Sequence, residues 1–208
     1  MTHGLHQYRQ IAMNDTRRKS DEAFDPERTA DSVCFVFAGC EQLLPDATSC
    51  YDRTHSFYES NGSLLRDCVR ECQSIYAKSP GCGYVIRKLD TGILEVTQNY
   101  FDGASPKSNL TSENLSKVLD VSWISHITFD ADCVAFQIDT LGSAERMLVY
   151  LPSDDPYAFY CKSDQWHPDD QWYPVVENGE TIYKKRNDDN TVFFKQIGAH
   201  FYFVELHF

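Results

Sequence analysis

The stretch Ser63-Leu-Leu65-Arg-Asp-Cys68-Val-Arg-Glu-Cys72-Gln-Ser-Ile75-Tyr76-Ala-Lys-Ser79-Pro80-Gly81-Cys82-Gly-Tyr84-Val-Ile86 carries a helix, its stop and a strand in twenty-four residues. Leu65, Cys68, Cys72, Ile75 and Tyr76 recur at spacings of three and four, the period of an amphipathic helix. Cys68 and Cys72 therefore share the inward face, one turn apart. Ser63 fits as an N-cap whose hydroxyl accepts from the first free backbone N–H groups. Pro80-Gly81 stops the helix. The apolar run Cys82–Ile86 reads as a strand, Asp90-Thr91-Gly92 as a turn, and Ile93–Thr97 as the strand returning.

Cysteine placement extends this reading. Cys34, Cys40, Cys50, Cys68, Cys72 and Cys82 precede a polar stretch, and Cys133 and Cys161 follow it. Both groups are even in number, so each half could close its own bridges. Six cysteines allow fifteen pairings, and spacing does not choose among them. The organisation expected is a flexible leader over 1–31, a cysteine-rich module over 32–101, a polar linker or loop over 102–120 and a β module over 121–208. A first buried strand is expected at Val33–Phe37. The expected fold class is α+β, a small disulfide-stapled helix/strand module followed by an antiparallel β-meander module.

The second half is β-patterned. Val134, Phe136 and Ile138 alternate with Ala135 and Gln137, and Met147–Leu151 runs back. Asn178-Gly179 between Trp172–Val176 and Glu180–Lys185 is a two-residue hairpin signal. Thr191–Gln196 and His200–Leu206 complete about six strands. Residues 157–208 hold thirteen aromatics, twice the chain's average of 13%.

Composition bounds the function. Hydrophobic residues make up 42% and charged residues 24% of 208 residues, ordinary values for a folding chain. The net charge is −12. Such acidity disfavours nucleic acid, whose phosphates need a basic stripe to displace counterions, and an anionic membrane surface. No apolar run is long enough for a membrane-crossing helix, so no membrane insertion is expected. Four glycosylation sequons begin at Asn14, Asn61, Asn109 and Asn114; about one is expected by chance at average composition. With the cysteines they point to the secretory pathway and an extracellular glycoprotein. The first residues lack a signal peptide's apolar core. A signal removed upstream is the expected explanation, with another secretion route or reduced cysteines as alternatives.

At Leu65–Cys72 and Gly81–Tyr84 the chain resembles the core of the PAN/apple family, in which a helix carrying Cys-x3-Cys is stapled to a following strand that begins with cysteine and an aromatic residue. The resemblance covers residues 34–97 at most and leaves the C-terminal half unmatched. It implies an extracellular module that binds proteins or carbohydrates and is not an enzyme, with Cys72 joined to Cys82. The family's usual partner for the first helix cysteine is missing, since Ile93, Leu94 and Val96 occupy that strand. Cys68 would pair instead with Cys34, Cys40 or Cys50.

The function expected is therefore a non-enzymatic module recognising a protein or carbohydrate. Trp166, His167, Trp172 and Tyr173 are the candidate ligand-binding residues, because exposed aromatics anchor interfaces and stack on sugars. No cofactor and no metal are expected: zinc pairs sit closer than Cys68 and Cys72, and His55 is the one histidine nearby. No catalytic residues are assigned. A β-barrel carrier for a small apolar ligand is the alternative, suggested by the alternating aromatic strands. An enzyme of unfamiliar type comes third, for which His126, Asp130, Asp132 and His167 would have to converge.

Overall fold

The computed structural model describes residues 47–99, 106–138, 144–162, 172–185 and 190–207. The leader, the strand expected at Val33–Phe37, Cys34 and Cys40 lie outside them. Helix α1 (Ala47–Lys78) leads into β1 (Gly83–Lys88), β2 (Leu94–Asn99), β3 (Lys107–Leu110), the short helix α2 (Glu113–Leu119), β4 (Ile124–Phe129), β5 (Val134–Ile138) and β6 (Ala144–Tyr150). A π-helical turn at Ala158–Lys162 follows, then β7 (Trp172–Glu177), β8 (Glu180–Lys185), β9 (Thr191–Gly198) and β10 (Phe201–His207).

These strands form one open antiparallel sheet in the order β3-β2-β1-β4-β5-β6-β10-β9-β8-β7. That order corrects the expected fold class. The strands after the cysteine helix do not close a module of their own: β1 pairs with β4 through Tyr84↔Phe129, Val85↔Thr128 and Ile86↔Ile127. The first four residues of β1 are all buried, as a central strand requires. The stretch read as linker contributes to the same body. Residues 107–110 are edge strand β3, and α2 is fastened on two sides. Ser112 and Asn114 donate to the Glu71 carboxylate of α1 at 2.5 and 2.7 Å, and Lys88 of β1 donates to Ser116 at 2.8 Å and pairs with Asp120.

The disulfide staple is absent as well. No bridge joins the described cysteines. Cys68, Cys72 and Cys82 pack in one apolar cluster with Leu65, Val69, Tyr84 and Ile86, and the Cys82 sulfur is turned to Gln98 Nε2, at 2.6 Å, instead of to Cys72. The helix starts well before Ser63. It is broken at Asn61, whose backbone leaves helical values (φ −128°, ψ 16°) while its side-chain amide donates to Phe57 O at 3.0 Å.

Strand alternation assigns the two faces. Ile86, Ile127, Phe129, Phe136, Leu148, Phe201 and Phe203 point to α1, and all are essentially fully buried. Ala135, Met147, Val149, Tyr202, Val204 and Val192 point the other way, into a second cluster with Phe159, Cys161 and Trp172. Two hairpins show why their turn residues are there. Asn178 (φ 51°) and Gly179 (φ 83°) both take positive φ, the type I′ geometry that joins β7 to β8. At the end of β9, Gly198 lies against Tyr58 of α1, and a Cβ there would collide with the tyrosine ring and hydroxyl.

Candidate binding surface

Among the described residues, β7 forms one edge of the sheet. Trp172, Pro174 and Val176 lie on the face turned away from α1, and Tyr173 and Val175 on the other. Of the four predicted ligand-binding residues, Trp166 and His167 lie outside the described residues. Trp172 is buried, at 7% exposure, in the second apolar cluster, while its neighbour Tyr173 is 44% exposed. Val176, which the sequence analysis passed over, is the most open large apolar residue described, at 71%. The surface that β7 offers is therefore a phenol and a branched aliphatic group on a rim. Indole stacking from Trp172 is not part of it.

The hairpin is tied together by ladder bonds and side-chain contacts. Glu177 and Glu180 flank the two-residue turn and so form a bonded pair, and bonding then alternates along the ladder. Pro174 falls at a position whose backbone groups point outward to the free edge, the one place where its missing N–H costs no ladder bond. Lys184 pairs with Glu177 at 2.6 Å and Lys195 of β9 pairs with Glu180 at 2.7 Å. Tyr183 stacks on Phe194 at 5.0 Å.

Two polar clusters lie inside the body. On the α1 side, Arg146 Nε donates to Glu205 Oε2 at 2.7 Å, with side-chain exposures of 13% and 8%. His207 Nε2 lies 2.5 Å from the other carboxylate oxygen. Arg146 and Arg53 each approach the buried Cys50 sulfur at 3.8 Å. Sequence reasoning missed this cluster, although a signal was present: Glu205 is the one carboxylate inside the otherwise apolar run Phe201–Leu206, a pattern that a buried partner produces.

On the opposite side, Asp130 closes the β4–β5 turn, its Oδ1 accepting from Asp132 N at 2.8 Å and Cys133 N at 3.0 Å. Burial pushes the Asp130 carboxyl up, against those two bonds. Burial likewise raises the Glu145 carboxyl and, with Asp130 nearby, the Cys133 thiol and the Tyr160 hydroxyl. Groups shifted this way favour their neutral forms and suit a core better than a nucleophile. The thiols of the cysteine helix follow suit. Cys68 is pushed up to about 12 by burial and then by Glu71 and Asp67, and Cys72 is raised by burial and by Cys68.

His126, Asp130 and Asp132 do not converge. His126 sits four residues before Asp130, roughly 13 Å away at the strand rise, with Nδ1 at 2.9 Å from Ser125 Oγ. Among the described residues no group of histidine, cysteine, aspartate and glutamate could hold a metal ion, and no helix is long and apolar enough to cross a membrane. No family model, curated protein or solved structure matches this chain.

Proposed function

We propose that the chain is an extracellular, non-enzymatic binding protein that recognises a polypeptide partner with the β7 rim. The observation that carries this reading is the exposure of Tyr173 and Val176, 44% and 71%, on the two faces of the edge strand β7. An aromatic and an aliphatic side chain on a pre-ordered edge lose little conformational freedom on binding, which favours them as interface anchors. The burial of Trp172 weighs against a carbohydrate ligand, since its ring face is occupied by the cluster around Val192 and Phe159. The four sequons support the compartment, while the resemblance of Leu65–Tyr84 to PAN/apple modules adds no weight, since no disulfide joins Cys72 to Cys82.

An apolar-ligand carrier is less well supported. The sheet is open, and the space between it and α1 is filled by Phe129, Phe136, Phe201 and Leu65.

The test is selection of a displayed peptide library on the unglycosylated chain, in parallel with a glycan array. Peptides should be enriched, and Val176→Asp or Tyr173→Ala should weaken them by about tenfold or more, the ~1.4 kcal/mol of an interface anchor. Glycan binding that survives both substitutions would replace this reading with a carbohydrate one.

A further inference from the structure

The four sequons are not equivalent in the folded chain. Asn14 lies outside the described residues. Asn61 donates its side-chain amide to Phe57 O at 3.0 Å in the middle of α1. Asn114 donates to Glu71 Oε1 at 2.7 Å, and the hydroxyl of its sequon, on Ser116, accepts from Lys88 at 2.8 Å. Both parts of that sequon thus fasten α2 to the body, and a sugar on Asn114 would compete with the contact to α1. Asn109 differs from both. It lies on β3, the sheet edge opposite β7, and both it and Thr111 are exposed.

The ladder fixes what surrounds it. Gln98 N donates to Pro106 O at 3.0 Å, so residues 98 and 106 form a bonded pair. Bonding alternates from there. Val96↔Ser108 and Leu94↔Leu110 are bonded pairs, and Glu95↔Asn109 is not. The backbone N–H and C=O of Asn109 therefore point away from β2, toward the side on which no described strand pairs with β3. An edge with exposed donors and acceptors is a template for pairing with another copy unless something blocks it. On β7 the block is Pro174. On β3 the corresponding position is a glycosylation sequon.

We propose that Asn109 is an N-glycosylation site and that its glycan closes the β3 edge against strand addition. The inference rests on the extracellular reading above. It adds that the molecule meets its partner at β7 with its other edge covered by sugar.

The full chain, fused to a cleavable signal sequence and translated with endoplasmic-reticulum microsomes, tests this. Thr16→Ala, Ser63→Ala, Thr111→Ala and Ser116→Ala each remove one sequon and leave its asparagine in place. A shift reversed by peptide N-glycosidase should disappear in Thr111→Ala and persist in Ser63→Ala and Ser116→Ala. Purified Thr111→Ala protein should associate with rising concentration in size-exclusion chromatography, and adding Asn109→Lys, which sets a charge on the edge, should return it to the elution volume of the glycosylated chain. An unglycosylated Asn109, or a Thr111→Ala protein that elutes unchanged at every concentration, would overturn the proposal. The peptide selection uses unglycosylated protein, so that reading and this one can fail separately.

Discussion

The centre of the sheet and its β7–β8 rim are built from the same residue types and treat them oppositely. Phe136 and Phe203 are 0% exposed beneath α1, while Tyr173 and Val176, on a strand of the same alternating pattern, are 44% and 71% exposed. The difference lies in what covers each strand. β5, β6 and β10 carry a helix on one face and the second apolar cluster on the other, whereas β7 has a neighbour on one side. An apolar side chain thus serves packing or recognition according to strand order, a property of the whole sheet that no local pattern contains.

Substitutions should separate the two regions most sharply at the centre. Phe136→Ala should cost about 3–5 kcal/mol, through lost transfer energy and the cavity left behind, read as a shift of the urea midpoint. A loss below about 1 kcal/mol would mean that the α1 side is loosely packed and that the contrast with the rim is overstated. Glu205→Ala should be of similar size, about 3–5 kcal/mol, because it leaves the Arg146 guanidinium buried without its partner. Replacing both as Arg146→Met/Glu205→Leu should recover most of that loss. If the double variant is as weak as the single one, the pair holds more than its own geometry, with His207 and Cys50 the first places to look.

A smaller effect is expected at Asp130, and it depends on pH. Burial raises its folded-state pKa. Its contribution to stability is thus fully present below the unfolded aspartate value, roughly 4, and is lost as pH rises through the folded value. Asp130→Asn keeps an oxygen for the Asp132 and Cys133 N–H groups and has no proton to lose. Its midpoint relative to the unsubstituted chain should therefore rise between pH 3 and pH 7. A gap that narrows over that range would show that the N–H bonds outweigh burial. Least affected should be Val176→Thr, within about 0.5 kcal/mol, while peptide binding drops. A large stability loss there would make Val176 a core residue and end the contrast.

Local structure was largely legible in the sequence, and its assembly was not. The period of Leu65, Cys68, Cys72 and Ile75, the stop at Pro80-Gly81, the turn at Gly92 and the Asn178-Gly179 hairpin each follow from short-range physics, and the corresponding elements form. The division into two modules was wrong because the pairing of β1 with β4 spans the polar stretch, and Tyr84 and Ile86 look alike beside any apolar neighbour. The cysteines misled for a related reason. A Cys-x3-Cys on an inward helix face suits a staple, and it equally suits a pair of small apolar residues under Tyr84 and Leu65. On β7, Tyr173 was visible as an aromatic among the candidate ligand-binding residues. Val176 was hidden inside a pattern that elsewhere in this chain means burial.

The position of β10 has a consequence for biosynthesis. It comes last in sequence among the ten described strands, yet it lies between β6 and β9 and is the seam by which the β7–β9 hairpins join the rest. Until Phe201–His207 is in place, the β6 edge, with Met147, Leu148 and Val149, lacks its folded-state neighbour on that side. A partly folded chain lacking β10 exposes a strand edge of the kind that promotes aggregation. The β7–β9 hairpins can therefore join the rest of the sheet only once Phe201–His207 is available to pair with β6.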